Sequence, residues 1–239
     1  MTATNTKPLC IIPARGASKR IPRKNIRNFC GKPIIAYSIE AAIGSDLFDH
    51  VVVSTDDDEI ADVARQFGAE VPFSRPANLS DDHAPTIDVI QHSIRYFSDQ
   101  GITPAYACCI YATAPFVRQS DLRESYALLT ANADMNFCFG VTEYPYPIQR
   151  ALRVSKAGGV NMVQPEFFSA RSQDLEKTFH DAGQFYWGRR QAFLNTHTVI
   201  SPKTIPFVLP IDTVQDIDDI NSWRRAEAMF TALSATPCR

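Results

Sequence analysis

The sequence predicts an α/β domain with a mostly parallel sheet and helices on both faces. Three observations carry that prediction. Short apolar runs recur along the first 141 residues, separated by segments whose apolar residues have helical spacing. Their order reads β-α-β-α-β-α-β-α-β, the pattern that builds a parallel sheet through helical crossovers. A loop dense in positive charge directly follows the first run, where open α/β sheets bind ligands.

Leu9-Cys10-Ile11-Ile12 is the first buried strand, and the basic loop runs from it to Asn25. The loop holds Arg15, Lys19, Arg20, Arg23 and Lys24, with Ser18 and Asn25 among them. Gly16 and the small Ala14 and Ala17 let backbone come close to a ligand. Cations and backbone N–H groups together suit a polyphosphate; the competing reading is a solvated basic surface. Neither G-x-G-x-x-G nor a glycine loop ending in GK[ST] is present, which disfavours a dehydrogenase or a P-loop kinase.

Gly31-Lys32-Pro33 leads into a helix whose apolar residues run to Ile43, with Gly44 as its stop. Val51 to Ser54 is the second strand. Asp56 to Asp58 open a helix that continues to Phe67, because carboxylates favour the positive helix start. Glu70 to Ser74 is expected as a short third strand. A polar loop to Pro85 precedes a helix from Thr86 to Phe97. Tyr106 to Tyr111 forms the fourth strand, followed by the small-residue loop Ala112 to Phe116. Ser120 is expected to cap the next helix, with Leu128 and Leu129 on its apolar side. Met135 to Val141 is the fifth strand.

The alternation then breaks. Residues 143–180 read as an inserted arm of loops and short strands, used for dimer contact, within one domain spanning 1–239. Phe185-Tyr186-Trp187 is a short aromatic strand, Arg189 to Leu194 a helical turn, and Ile205 to Leu209 another strand. A final helix buries Trp223, Ala226, Met229, Phe230 and Leu233.

Composition excludes several classes. A net charge of −2 gives no support for nucleic-acid binding. No apolar run is long enough to cross a membrane, and Met1 to Pro8 lack a signal core, so a cytoplasmic protein is expected. Cys10, Cys30, Cys108, Cys109, Cys138 and Cys238 show no C-x-x-C spacing and read as small packing residues in a reducing compartment.

The strand ends can gather the basic loop, Arg75 to Thr86, Tyr111 to Pro115, and Asp216 with Asp218 around one crevice. Asp216 and Asp218 are two apart, so in extended backbone they point the same way and suit a divalent cation. The competing reading is that Asp218 or Asp219 caps the last helix; Asp212 is a spare candidate for the metal.

The segment IIPARGASKRIPRKN resembles the signature IxARxGSKxxPxKN of cytidylyltransferases that activate sialic acids and related nonulosonates. RPANLSDDHAPT, YATAPF, ARSQDLEKTF and QDIDDINSW are similar to later motifs of that family, in the same order. HDAGQFYWG resembles the branch that takes pseudaminic acid, and Tyr111 stands where sialate enzymes carry glutamine. An aromatic wall of Tyr111, Tyr186 and Trp187 suits that less polar sugar, unless Tyr111 and Trp187 are simply core.

The resemblance implies a Rossmann-like fold of the nucleotide-diphospho-sugar transferase type with a small β-rich dimerisation excursion. It also implies condensation of CTP with pseudaminic acid by a homodimer, with Mg²⁺ as cofactor, for surface-glycan or flagellin glycosylation. Arg15 and Lys24 would act on the phosphates. Ala14, Gly16, Ser18, Asn25, Arg75, Ala84 and Thr86 complete the nucleotide contacts. Tyr111, Gln184, Tyr186 and Trp187 would meet the sugar, and Arg171 its carboxylate, from the same chain or across the dimer. Asp216 and Asp218 would hold the metal. No dedicated base is expected, although His83 and His180 lie near the right segments. N-acetylneuraminate and legionaminate are the rival sugars, and a non-catalytic nucleotide-binding regulator is the rival class.

Overall fold

The computed structural model describes residues 7–81 and 84–235. Met1 to Thr6, His83 and Cys238 lie outside the described residues. Six strands form the central sheet: β1 (Leu9–Pro13), β2 (His50–Ser54), β3 (Tyr106–Ile110), β4 (Phe137–Glu143), β5 (Phe179–Arg189) and β6 (Thr204–Val208). Their spatial order is β6-β4-β5-β3-β1-β2. The pairs β1–β2, β1–β3 and β4–β6 are parallel, whereas β5 runs antiparallel to both β3 and β4. The mostly parallel sheet is thus as expected, but its centre contains one reversed strand. Phe185 to Trp187 belong to an 11-residue strand, far longer than the short aromatic run the sequence suggested.

Among the described residues six α-helices cover the sheet or flank it: α1 (Ile34–Gly44), α2 (Asp58–Gln66), α3 (Thr86–Asp99), α4 (Gln119–Ala131), α5 (Arg190–Leu194) and α6 (Ile220–Ala235). Ile35, Ile39, Ile60, Ala64, Leu122 and Leu129 of α1, α2 and α4 bury one face with Cys10, Ile12, Val53, Cys108 and Trp187. Ile87, Ile90, Ile94 and Phe97 of α3 bury the other with Leu9, Ile11, Val52, Cys109 and Tyr186. Odd and even strand positions therefore serve opposite cores, as the two-residue period requires. No helix among the described residues is long and apolar enough to cross a membrane.

Some local expectations give way to the structure. Glu70 to Ser74 forms only isolated bridges, Val52 to Glu70 and Thr55 to Ser74, because Pro72 between them has no N–H to donate. Asp57 does cap α2, accepting the Ile60 N–H at 2.9 Å. Ser120 does not cap α4; the helix opens at Gln119 after Arg118, which pairs with Asp121 at 2.9 Å. Leu128 and Leu233 lie exposed, while Leu129, Trp223 and Ala226 are buried. Glu143, Phe179 and His180 belong to β4 and β5 and pair with each other's strand, so the chain is outside the central sheet over residues 144–178, where it carries a hairpin of Leu152–Val154 with Val160–Met162.

A third buried cluster decides where the site forms. Ile21 of the basic loop, Phe29 and Ile34 pack against Ile217, Trp223 and Ala226 at the start of α6. Burial of these apolar side chains draws the late turn onto the early loop.

Candidate active site

β1 has β2 on one side and β3 on the other, so the chain reverses its direction of travel between β1 and β3. Ligands of open α/β sheets sit at the carboxyl ends of strands at such a point. A cavity of about 530 Å³ opens there. Pro13, Arg15, Ser18, Lys19, Arg20, Lys24 and Asn25 line it from β1 and the basic loop. Arg75, Leu79, Asp81, Ala84, Thr86 and Val89 line it from the loop before α3 and from α3 itself. Tyr111, Ala112 and Thr113 after β3, and Asp218 before α6, complete the wall.

The loop is held in shape by carboxylates at the start of α2. Asp56 accepts the Gly16 N–H at 3.0 Å. Arg23, in left-handed backbone at φ 54°, donates to Asp57 at 2.5 and 3.0 Å and also to Glu59. A Cβ on Gly16 would lie 2.7 Å from Asp57 Oδ2, so only glycine permits this approach. Asn25 closes the loop by donating from Nδ2 to the Arg15 carbonyl at 2.9 Å. Arg23 is thus a strut, and the cations left to face the cavity are Arg15, Lys19, Arg20 and Lys24.

Lys24 reaches across to the late turn, donating to the Ile217 carbonyl at 2.8 Å. Burial lowers its pKa, against the pull of Asp218 and Asp216. Arg20 pairs with Asp218 at 2.7 Å. The Asp216 carboxyl is raised by burial first and then by Asp218. Asp219 is the residue that caps α6, accepting the Ser222 N–H at 2.7 Å, which leaves Asp218 for the cavity. Asp212 sits on the turn Ile211–Thr213, where its charge acts on Arg118.

Arg75 is 6% exposed and forms part of the cavity's inner wall. Its guanidinium donates to Ser54 Oγ at 3.1 Å and to the Ser54 carbonyl. Burial pushes its pKa down to about 10, with Asp56 opposing. Arg15 donates to the Asp81 carbonyl at 3.0 Å, and Asp81 Oδ1 accepts the Ala84 N–H at 2.7 Å.

A smaller cavity of about 230 Å³ shares Thr86 and Tyr111 with the first. Asp181 and Tyr186 of β5 line it, with Ile87, Ile90, His197, Val199 and Ile200. The reversed direction of β5 puts its early residues at the carboxyl ends of β3 and β4.

Several expected positions fall elsewhere. Trp187 is 0% exposed and stacks on Phe48 at 5.3 Å, on the sheet face opposite Tyr186. Neighbours in a strand point to opposite faces, so the two could not share one site. Gln184 donates to the Thr213 carbonyl at 2.6 Å and is 4% exposed, so it braces the late turn. The Ala14 N–H is spent on the Ser54 carbonyl at 2.9 Å, and the Gly16 N–H on Asp56, so neither amide is offered to a ligand. Arg171 lies on the arm, pairs with Asp174 at 2.8 Å and does not line the cavity. His180 bonds the Asp181 carbonyl at 2.9 Å and lines neither cavity. Lys19 and Arg20 line the cavity as members of the basic loop, whereas Thr113 and Asp181 have no role assigned from the sequence; placing Asp181 requires the fold of β5.

A family model described as Cytidylyltransferase matches residues 9–198. At 46% identity over 224 residues, the chain is similar to a pseudaminic acid cytidylyltransferase of Campylobacter jejuni subsp. jejuni serotype O:2, covering 94% of this chain and 96% of that protein. A CMP-N,N'-diacetyllegionaminic acid synthase of Legionella pneumophila subsp. pneumophila is 30% identical, over 93% of this chain and 95% of its own. Among solved structures, a CMP:2-keto-3-deoxy-manno-octonic acid synthetase complexed with CTP is alike in fold, with a TM-score of 0.69 at 15% identity, over 95% of this chain and all of that one.

Proposed function

The chain belongs to the cytidylyltransferase family, and we propose that it condenses CTP with pseudaminic acid, giving CMP-pseudaminic acid and pyrophosphate. The observation that supports this most is the meeting of the basic loop with Asp218 around one cavity that has an aromatic cavity beside it. The anomeric hydroxyl oxygen of the sugar bonds to the α-phosphorus of CTP. The bond from that phosphorus to the bridging oxygen breaks, pyrophosphate leaves with the electron pair, and the hydroxyl proton passes to solvent.

Such a transfer needs positioning and neutralisation of charge more than covalent help. Arg15, Lys19, Arg20 and Lys24 supply that charge around the triphosphate, and Ser18 adds a hydroxyl. Arg75, fixed by Ser54, gives a buried cation that does not reorganise during the reaction. Asn25 keeps the loop closed. Thr86 and Tyr111 stand between the nucleotide and the sugar, which Tyr186 meets from the far side.

Among the described residues no group of three or more His, Cys, Asp or Glu gathers as a self-sufficient metal cage. Asp216 and Asp218 form a pair whose mutual repulsion a cation relieves. That donor set fits Mg²⁺, which commonly takes one or two carboxylates and completes its shell with phosphate oxygens and water. When bound, Mg²⁺ would polarise phosphate oxygens and lower the pKa of the sugar hydroxyl.

Arg171 enters this reading only through a second copy of the chain, presented by the arm of residues 144–178. Exposed Leu152, Val154, Val160 and Phe168 on that arm support a homodimer. The buried free thiols Cys10, Cys108, Cys109 and Cys138 accord with a cytoplasmic setting. Incubation with CTP, Mg²⁺ and pseudaminic acid, read by mass detection of the CMP-sugar and by pyrophosphate release, tests the proposal. N-acetylneuraminate and legionaminate in the same assay separate the sugars. Absence of pyrophosphate with every sugar acid would overturn the reading.

A further inference from the structure

The wall of the smaller cavity holds a tyrosine hydroxyl fixed on a carboxylate. The Tyr186 hydroxyl lies 2.9 and 2.8 Å from the two oxygens of Asp181 and donates its proton there, since a carboxylate only accepts. Asp181 Oδ1 also accepts the Gly183 N–H at 2.8 Å, at a glycine with φ +63°. Asp181 and Tyr186 are five positions apart and would face opposite sides of an unbroken strand. The register of β5 against β4 shifts between Phe139 and Val141, and that irregularity lets Asp181 turn back to Tyr186.

Tyr111 lies against Tyr186, with ring centroids 5.2 Å apart. Tyr186 has committed its only proton to Asp181, so its oxygen has only lone pairs left to offer. One carboxylate thereby sets the direction of the Tyr186 hydroxyl. At this wall Asp181 and Tyr186 offer lone pairs. Ile87, Ile90, Val199 and Ile200 give the cavity its apolar lining, and Thr86, Tyr111, His197 and Thr198 are its other polar residues.

We propose that Asp181 is a positioning residue for sugar specificity, holding the Tyr186 hydroxyl so that the lone pairs of the two meet an N–H or O–H donor of the sugar acid in the smaller cavity. This deepens the proposed function and rests on it. A wall of acceptors discriminates against a substrate that places an acceptor or an apolar group against it, because buried lone pairs then face each other or stay unpaired.

The test is steady-state kinetics of Asp181→Asn and Tyr186→Phe with CTP and Mg²⁺. Asp181→Asn keeps the shape but brings N–H donors, so the fixed direction of the Tyr186 hydroxyl is lost. Tyr186→Phe keeps the ring and removes the link. Each is expected to raise the KM for pseudaminic acid by about tenfold or more, with the KM for CTP held within about twofold. The ratio of kcat/KM for pseudaminic acid to that for N-acetylneuraminate is expected to fall by about tenfold as well. Unmoved sugar KM values in a folded pair of variants, or sugar and CTP KM values rising together, would overturn the role of Asp181. If Asp181→Asn fails to fold, Tyr186→Phe decides alone. Wild-type protein that releases no pyrophosphate with any sugar acid would instead overturn the function on which the inference rests.

Discussion

The Lys24 ammonium donates a hydrogen bond to the Ile217 carbonyl at 2.8 Å, joining residues 193 positions apart. Ile217 stands between Asp216 and Asp218, so this bond ties the basic loop to the turn that carries both carboxylates. Beneath it, Ile21 and Ile217 share a buried cluster with Phe29 and Trp223, which gives the polar contact an apolar foundation. Lys24 is partly desolvated there and lies within the field of both aspartates.

Lys24→Ala is expected to lower kcat by about 10²-fold or more, the usual cost of removing a fixed charge from a developing anion. Steady-state pyrophosphate release measures it. A variant with nearly intact kcat would move the phosphates away from this loop.

Asp218 and Asp219 divide two tasks between neighbours. Asp218→Ala is expected to abolish Mg²⁺-dependent turnover with little change in thermal midpoint, because the Asp218 side chain pairs with Arg20 at the cavity, while its bond to Ser222 of α6 is made by the backbone N–H and is kept. Asp219→Ala removes the cap on Ser222 and is expected to cost about 1 kcal/mol of stability while keeping catalysis. Mg²⁺ titrations and thermal unfolding of both variants check the division, and a reversal of the two outcomes would refute it.

The Arg23–Asp57 strut has a pH signature. Arg23 holds the Asp57 carboxyl below its usual range, so the unfolded chain binds that proton more readily than the folded one. The stabilisation is present above the ordinary carboxylate pKa and is lost as the pH falls through the folded value. The stability difference between wild type and Asp57→Asn is therefore expected to be constant near pH 7 and to shrink below about pH 4. Urea unfolding at several pH values reads this directly, and a gap that widens in acid would contradict it.

Trp187 is a packing residue in this structure, and its Nε1 has no partner among the described residues. Trp187→Ala is expected to cost about 3–5 kcal/mol, whereas Trp187→Phe keeps an aromatic filler and leaves the sugar KM unchanged. A raised sugar KM in a stable Trp187→Phe protein would return Trp187 to the sugar site.

Much of this was legible in the residues themselves. Leu9 to Ile12 announced a buried strand, and the cations after it marked the cavity, because charge at the end of an apolar run has few other uses. The spacing of Asp216 and Asp218 was visible too, but which of Asp218 and Asp219 caps α6 depended on where the helix begins. The place of β5 was hidden, since pairing partners are set by long-range packing that no local pattern encodes. The parity of Tyr186 and Trp187 was readable once a strand was assumed: one had to face away. The tie between Gln184 and Thr213 needed the fold, as did the turn that brings Asp181 to Tyr186.

The reversed strand also sets a timetable for biosynthesis. A chain emerging from the ribosome has β1, β2 and β3 in hand early, but the outer rim of β3 stays bare until residues 179–189 have been made. That rim is Tyr106 to Ile110, nearly all apolar, the kind of surface that recruits other unfinished chains. A gene cut short before β5 therefore yields aggregate and not a smaller working enzyme.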